Sequence, residues 1–499
     1  MQRRHFLASP LALAAAQTTA TTRTGFAERD ITPELGMEQP GGYGKVYHRT
    51  LHDPCKARAV VMDDGAKTVA LVGVDALVLP RTVAVEARKR IAARTGMAPE
   101  SILIGASHSH SSGPVGMVLP GEYYFTSDPL VRKLAYELSS GADAKYLDFL
   151  TRQIVEAVVV AWTSRRTLLL GVGAGHEDKA AFNRRHRMKN GLTYTHPRQG
   201  NPEMLDYAGP IDPQVGVLGA WDEKGRLAGC VVTYACHATT SPGGISANWI
   251  YYLEKTIRGA LDEQAVVVFL QGCSGDITQV DNKSPYAMPS GDEQARLVGG
   301  RVGAEAVKTL LSMTRGRLTP VDYAVDNVKI ARRAPSAERV TAARATAQQD
   351  PKSAGPAQWT FAKELVMADA LARHEPAVMA EFQAIQVGPA LFLSNPGETF
   401  VEIGLAIKKQ SRFKLTFPVE LANGCVGYVA TEEALGPRGG GYETRLTSYT
   451  NLTPQAASIF IATGVKLSQR FTPGKLPAGP PPPKFTGAWD YGNVPAEVK

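Results

Sequence analysis

The sequence has few cysteines and no long apolar segment. Its 499 residues include five cysteines, an odd and widely spaced set without a C-x-x-C pair: Cys55, Cys230, Cys236, Cys273 and Cys425. Such spacing indicates neither a disulfide framework nor a cysteine zinc site. No stretch is long and apolar enough to span a bilayer, and no internal repeat is visible. The remaining composition, with 44% hydrophobic and 20% charged residues, is typical of a globular protein.

Charge of one sign is not concentrated anywhere in the chain. The formal net charge is +8, and the basic clusters at 184–189 and at Arg332–Arg333 are short. This surplus suits solubility and peripheral contact with an anionic or membrane surface, and it does not indicate nucleic-acid binding.

Residues 1–20 have the pattern of an export signal. Arg3 and Arg4 precede a short apolar run at 6–16, and three alanines at 14–16 offer a cleavage site. The run Arg-Arg-His-Phe-Leu resembles a twin-arginine signal. An ordinary secretory signal, or an anchor that is never cut, is the alternative. We predict an exported protein, periplasmic or extracellular, that is soluble after signal removal.

Apolar strands and helices alternate through the rest of the chain, which predicts an α/β fold with a mixed β-sheet core flanked by helices. We expect one domain over 23–470, in which the Gly- and Pro-rich segment 24–47 is a covering loop. An exposed insertion is predicted at 335–358 and a Pro-rich tail at 471–499. The predicted strands are 57–62, 68–74, 101–104, 167–172, 227–235, 265–270, 381–387 and 390–393. The predicted helices are 81–93, 146–162, 251–261, 292–314 and 399–409.

Polar residues follow several of these strands. They are Asp75, the pair His108 and His110, His237, the Gly275–Asp276 loop and Glu398. Because ligand crevices of α/β sheets lie at the carboxyl ends of strands, these groups are expected to converge at one edge of one sheet. Imidazoles with a carboxylate form the ligand set of a catalytic zinc site. Taken singly, His237 fits a core histidine and Glu398 an acidic first turn of a helix equally well.

Six ordered motifs resemble the catalytic N-terminal domain of the zinc-dependent neutral ceramidases. The resemblance covers roughly 26–466, without that family's C-terminal sandwich domain. The motifs lie at 106–114, 234–239, 245–249, 271–276, 395–398 and 427–431.

The resemblance implies roles for eight residues. Zinc, Zn²⁺, is the implied cofactor, with His108, His237 and Glu398 as ligands and Tyr428 as a weaker ligand. The implied catalytic and pocket residues are His110, Arg184, Thr278 and Tyr442. Thr278 stands where ceramide-cleaving members carry a serine, and Asn248 where they carry an aspartate before Trp249.

Three functions remain open from the sequence. The first is an exported zinc-dependent amidohydrolase that uses a zinc-activated water on an N-acyl, ceramide-like substrate. In it, His110 would protonate the leaving amine, a tyrosine would stabilise the oxyanion, and Asp75 and Asp276 would orient the histidines. The second is an esterase or amidase for small non-sphingolipid substrates, and the third a non-catalytic metal-containing binding protein. The expected partner is a small-molecule or lipid amide, and no oligomeric state is predicted.

Overall fold

The computed structural model describes residues 22–489, 491–492 and 494–498. The predicted export signal, 1–20, therefore lies outside the described residues. Within the described ranges, no helix has both the length and the apolar character needed to cross a membrane.

The described residues form twenty strands. They are Arg23–Asp30 (β1), Lys56–Asp63 (β2), Thr68–Val74 (β3), Ile102–Ala106 (β4), Arg166–Thr167 (β5), Leu169–His176 (β6), Phe182–Asn183 (β7), Arg185–Met188 (β8), Thr193–Thr195 (β9), Met204–Tyr207 (β10), Gln214–Trp221 (β11), Leu227–Tyr234 (β12), Val266–Gln271 (β13), Ile277–Thr278 (β14), Val321–Ala331 (β15), Ala377–Val387 (β16), Ala390–Asn395 (β17), Glu398–Thr399 (β18), Leu415–Glu420 (β19) and Tyr428–Val429 (β20).

Ten α-helices accompany them in this part of the chain. They are Arg81–Thr95 (α1), Pro129–Tyr136 (α2), Ala144–Thr163 (α3), Trp249–Ala260 (α4), Gly291–Ser312 (α5), Ala337–Ala347 (α6), Pro351–Ala354 (α7), Pro356–His374 (α8), Val401–Gln410 (α9) and Ala456–Ser468 (α10).

Three sheets form the core, in the strand orders β4-β3-β2-β1-β5, β13-β12-β11-β6 and β15-β16-β17-β19. Each sheet is mainly antiparallel but contains one parallel pair: β3 with β4, β12 with β13, and β17 with β19. A parallel pair needs a crossover connection, and α1, α4 and α9 supply it in the three sheets. The protein therefore carries three β-α-β units, one in each sheet.

The inner faces of the three sheets share one apolar cluster, which includes Leu71, Leu270 and Phe417. The first two sheets approach closely at Gly73, where a Cβ would lie 2.2 Å from the carbonyl oxygen of Phe269. Only glycine allows this approach. Helices α1 and α3 cover the first sheet, α4 and α5 the second, and α9 and α10 the third.

The predicted α/β fold with a mixed β-sheet core flanked by helices is confirmed, but the expectation of one sheet is wrong. The apolar runs predict where strands lie but not which strands pair, and the core strands are divided among three sheets. The prediction of a loop over all of 24–47 is also wrong, because β1 pairs with β2 along its whole length. The polar sequence of β1 does not indicate a strand, but pairing and packing can override β-propensity.

Residues 335–358 form α6, α7 and the first turn of α8. The inner faces of α6 and α8 pack together, and they bury Ala343, Ala347 and Trp359 against residues of the 118–135 region. After α10, the described residues contain no helix or strand. The domain boundaries at 23–470, 335–358 and 471–499 stay predictions.

Candidate metal centre

His108 lies two residues beyond β4 and enters the interior through an unusual backbone conformation. Its φ is 63°, in the left-handed region that non-glycine residues adopt rarely and at some cost. Its Nδ1 lies 2.8 Å from the carbonyl oxygen of Leu77, and because that oxygen only accepts, Nδ1 carries the hydrogen. In the neutral ring, Nε2 then keeps a free lone pair.

His237 follows β12 in the second sheet and is held in the same way. Its Nδ1 donates to the carbonyl oxygen of Ser274, 2.7 Å away in the loop after β13. Two buried histidines from different sheets therefore present Nε2 atoms to a common space.

Glu398 closes this space from a separate two-stranded sheet. It belongs to β18, which pairs in parallel with β20 so that Glu398 stands beside Tyr428. Its Oε2 is 3.2 Å from Nε2 of His108 and 3.3 Å from Nε2 of His237. Neither contact has hydrogen-bond geometry, and among the described residues this buried oxygen has no hydrogen-bond partner. Its other oxygen accepts a 2.6 Å hydrogen bond from the hydroxyl of Tyr449.

His110 completes the cluster. Its Nε2 is 3.3 Å from Nε2 of His108, and ligand nitrogens of His108, His110 and His237 lie within 4.8 Å of one another. The loop before β2 covers it: Gln39 donates to its carbonyl oxygen, and a Cβ at Gly41 would lie 2.3 Å from its Nδ1.

The donor set fits a divalent metal. Buried polar atoms in proteins almost always have a partner, yet here a carboxylate oxygen faces two imidazole lone pairs without a hydrogen bond. A cation among His108, His237 and Glu398 would give this oxygen a partner, and two imidazoles with a carboxylate suit zinc. These residues, with His110 at their side, could therefore hold a metal.

Burial and nearby charges shift the pKa values of the cluster residues in different directions. Burial lowers the pKa of His237 to about 3, helped by the positive charge of Arg184, so the ring stays neutral. Burial also lowers the pKa of His110, together with the charges of His108 and His237. Burial opposes ionisation of Glu398, but the nearby histidines outweigh it and hold its pKa well below the usual range. Burial would lower the pKa of His108, but the Glu398 charge outweighs it and raises that pKa.

Arg184 lies beside the cluster, between β7 and β8. It donates from Nη1 towards Nε2 of His237 (3.1 Å) and from Nη2 to the hydroxyl of Tyr428 (3.0 Å). Its Nε pairs with Glu443 at 2.8 Å, and its guanidinium lies 5.2 Å from the ring centre of Tyr442.

The two tyrosines complete this side of the site. The hydroxyls of Tyr428 and Tyr442 are 3.2 Å apart. Burial raises the pKa of both, that of Tyr442 to about 12, so both hydroxyls keep their protons at neutral pH.

Seven of the eight residues assigned roles from the sequence therefore lie together, and no hydrogen bond joins the Thr278 side chain to them among the described residues. The Thr278 hydroxyl is buried and lies 3.5 Å from Oε1 of Gln279. Its catalytic role stays a prediction, as do the roles of the other seven.

The expectation that Asp75 and Asp276 orient the histidines is wrong, because the carbonyls of Leu77 and Ser274 do so. Asp75 instead accepts from Arg58 at 2.7 Å. Asp276 accepts from the Val401 amide at 2.8 Å, at the start of α9, and from Asn183.

Sequence reasoning missed Tyr449, Glu443 and Glu420. Tyr449 and Glu443 lie in a loop without periodicity, where no pattern marks them. Glu420 ends β19 and accepts a hydrogen bond from Ser274, the residue whose carbonyl holds His237. Its position after an apolar strand is the same signal that marked Glu398. Burial raises the pKa of Glu420 to about 8.

Comparison with known proteins shows what the chain resembles in sequence and fold. No family model matches the chain. Over 304 residues, 57% of this chain, it is 26% identical to neutral ceramidase of Pseudomonas aeruginosa. A crystal structure of neutral ceramidase from P. aeruginosa covers 93% of this chain, with a TM-score of 0.69 and 21% identity. The chain resembles the neutral ceramidases in sequence and fold. The resemblance inferred from the six motifs is thereby confirmed.

A second solved structure, a ceramidase complexed with C2, covers 92% of this neutral-ceramidase-like chain with a TM-score of 0.64 and 19% identity. The shared region has limits. The chain spans 77% of each of the two solved chains and 41% of the curated relative. At these identities the structural matches establish the fold, and the activity of this chain is a separate question.

Proposed function

We propose that the protein is a zinc-dependent hydrolase that cleaves the amide bond of an N-acyl, ceramide-like substrate. The observation that carries this proposal is the unpartnered Oε2 of Glu398, which faces the Nε2 atoms of His108 and His237. The similarity to neutral ceramidase supports the choice of bond. Export to the periplasm or the extracellular space is part of the proposal and rests on residues 1–20 alone.

His108, His237 and Glu398 would hold the zinc, with Tyr428 as a weaker ligand. When bound, zinc supplies a Lewis acid that polarises a carbonyl and activates water. The carbonyls of Leu77 and Ser274 fix the rotation of the two rings, and Tyr449 fixes the carboxylate. Such outer hydrogen bonds keep ligands in place before the metal arrives.

Tyr428, Tyr442 and Arg184 form the side of the site that stabilises negative charge. The two hydroxyls are 3.2 Å apart and the guanidinium donates to one of them, so their O–H dipoles are held next to a fixed positive charge. Donors fixed in advance stabilise an oxyanion without reorganisation during the reaction. We assign Tyr442 to the substrate oxyanion, because Tyr428 is also a candidate ligand.

His110 would move the proton. Its low pKa keeps the ring neutral, so Nε2 or Nδ1 can accept a proton during the attack and return it to the leaving amine. Gly41 packs against Nδ1 and directs the other edge of the ring, Nε2, towards the cluster.

Metal analysis and hydrolysis of N-acyl substrates of rising chain length test the proposal. We expect about one zinc per chain at saturation, loss of hydrolysis on chelation, and recovery on zinc addition. His108→Ala should lose both zinc and activity, whereas His176→Ala should keep both, since the His176 side chain is 68% exposed. Hydrolysis that survives complete zinc removal would overturn the proposal. Turnover of short amides only would favour the small-substrate alternative.

A further inference from the structure

An arginine-rich cleft opens beside the proposed catalytic tyrosine. Its volume is about 800 Å³. Its wall includes Tyr442, and three arginines share the lining: Arg333, Arg339 and Arg445. None of the described residues that line it is acidic.

Arg333, from the loop before α6, is the most deeply placed of the three. Its Nη atoms donate to the carbonyl oxygens of Thr444 (3.4 Å) and Thr450 (3.2 Å). Its Nε is buried and has no hydrogen-bond partner among the described residues. A buried donor without an acceptor is costly. Both carbonyl partners of this guanidinium are uncharged, so its positive charge is not balanced by a carboxylate.

The other two arginines are equally without a counter-charge. Arg445 lies over the ring of Phe361, 3.4 Å from its centre, and Arg339 is exposed on the first turn of α6. In the described part of the chain, none of the three forms an ion pair with a carboxylate. Burial lowers the pKa of Arg333 and of Arg445, and the charge of Arg339 lowers both further.

Neighbouring arginines behave differently. Arg332 pairs with Glu375, Arg344 with Asp128 and Arg373 with Asp369. Thus three arginines near the cleft are paired with carboxylates, whereas the three that line it are not. The adjacent carboxylate Glu443 does not neutralise them, because it points inward to Arg184.

Tyr442 connects the cleft to the metal cluster. It lines the cleft, its hydroxyl is 3.2 Å from that of Tyr428, and its ring lies beside Arg184. A molecule with its amide at the metal cluster would reach the cleft by extending past Tyr442. Guanidinium groups bind carboxylate and phosphate oxygens in paired hydrogen bonds. The part of the molecule that lies in the cleft would therefore carry one of these two groups.

We propose that the cleft binds an anionic group, a carboxylate or a phosphate, on the amide substrate, so that acidic N-acyl compounds are preferred over uncharged ones. This inference rests on the proposed amidase function and narrows its substrate class. An uncharged headgroup would leave the three guanidinium groups without a counter-charge.

Three probes of one chain length test the preference: N-lauroylglycine, N-lauroyl-O-phosphoethanolamine and the uncharged N-lauroylethanolamine. With zinc-loaded protein, we expect kcat/KM for at least one anionic probe to exceed that for the uncharged probe by about tenfold or more, the worth of a hydrogen bond to a charged group. The preferred probe distinguishes a carboxylate from a phosphate. The preference should fall as salt is raised, because salt screens exposed charges.

The variant R339Q/R445Q should reduce the ratio of anionic to uncharged turnover towards one. The control R152Q/R296Q removes the same charge from exposed positions on α3 and α5, and it should keep the ratio. Equal turnover of all probes by the wild type, or an unchanged ratio in R339Q/R445Q, would overturn the inference.

Titration calorimetry with the same compounds separates this inference from the proposed function. If no amide is hydrolysed, the proposed function fails, but binding still decides the role of the cleft. Tighter binding of an anionic probe that R339Q/R445Q abolishes supports the inference. Equal affinity for charged and uncharged probes contradicts it.

Discussion

Two buried clusters of ionisable groups lie at neighbouring strand ends, and they differ in their balance of charge. Beside the end of β3, Arg58 donates to Asp75 at 2.7 Å and pairs with Glu254, and Lys56 reaches Glu254 at 2.7 Å. Beyond the end of the adjacent β4, Nε2 of His108 lies 3.2 Å from Oε2 of Glu398, and Nε2 of His237 lies 3.3 Å from the same oxygen. In the first cluster each carboxylate faces a cation, whereas in the second a carboxylate oxygen has no hydrogen bond.

This difference separates a structural cluster from a ligand site. An ion-pair network in which every carboxylate has a cationic partner ties its elements together, here β2, β3 and α4. A cluster with a carboxylate oxygen that lacks a hydrogen bond could bind a cation. An acidic residue after an apolar strand occurs in both clusters, so position alone does not distinguish them.

The largest expected effect comes from Glu398→Gln. The amide cannot supply the anionic oxygen between His108 and His237, so we expect loss of bound zinc and a fall in amidase activity on the order of 10³-fold or more. Folding should persist, since glutamine keeps an oxygen that can accept the hydrogen bond from Tyr449. Zinc content, hydrolysis and circular dichroism measure the three outcomes, with exposed Glu432→Gln as the control. Full zinc occupancy in Glu398→Gln would show that the Glu398 carboxylate is not needed to bind the metal. The proposed difference between the two clusters would then be wrong.

The opposite result is expected for Arg58→Met. The substitution leaves Asp75 and Glu254 as buried charges without their shared partner, which costs about 3–5 kcal/mol of unfolding free energy. Urea unfolding measures this loss, and Arg152→Met, at an exposed position, is the control. Zinc bound per folded molecule should not change. If stability is retained and zinc is lost, Arg58 supports the metal cluster rather than a separate network.

The sequence predicted the elements of the fold better than their arrangement. β3 and β13 are apolar throughout and buried, so their composition alone identifies them. β1 and β15 carry charged residues along their length and become strands through pairing with β2 and β16. The division into three sheets depends on contacts between distant segments, which local periodicity does not record.

The same limit applies to the metal centre. His108, His237 and Glu398 were found because each lies at or just beyond an apolar strand and within a motif. Asp75 also lies just beyond an apolar strand, yet it pairs with Arg58 and is not part of the metal cluster. Tyr449 satisfies neither condition, and its role follows only from a folded loop that brings it to Glu398.

Tyr449→Phe tests how far the metal cluster depends on its surroundings. Its hydroxyl donates to Oε1 of Glu398 at 2.6 Å, and loss of such an outer hydrogen bond lowers metal affinity by about 10–100-fold. Competition with a chromogenic zinc chelator gives the affinity. Tyr194→Phe, at an exposed position, should not change it. An unchanged affinity in Tyr449→Phe would mean that the carboxylate is held by the histidines alone.

The smallest effect concerns the acid stability of the ion-pair network. Burial opposes the charge on Glu254, but Arg58 and Lys56 outweigh it and lower its pKa from 4.5 to about 2. A carboxyl group whose pKa is lower in the folded state stabilises the fold at pH values above its unfolded pKa. This stabilisation is lost as the pH falls towards the folded pKa. Between pH 4.5 and 3.5, the unfolding free energy of the wild type should fall by about 1 kcal/mol more than that of Glu254→Gln. Urea unfolding at the two pH values measures the difference. Parallel losses in both proteins would show that Glu254 is no better paired when folded than when unfolded, and the contrast with Glu398 would then rest on the metal cluster alone.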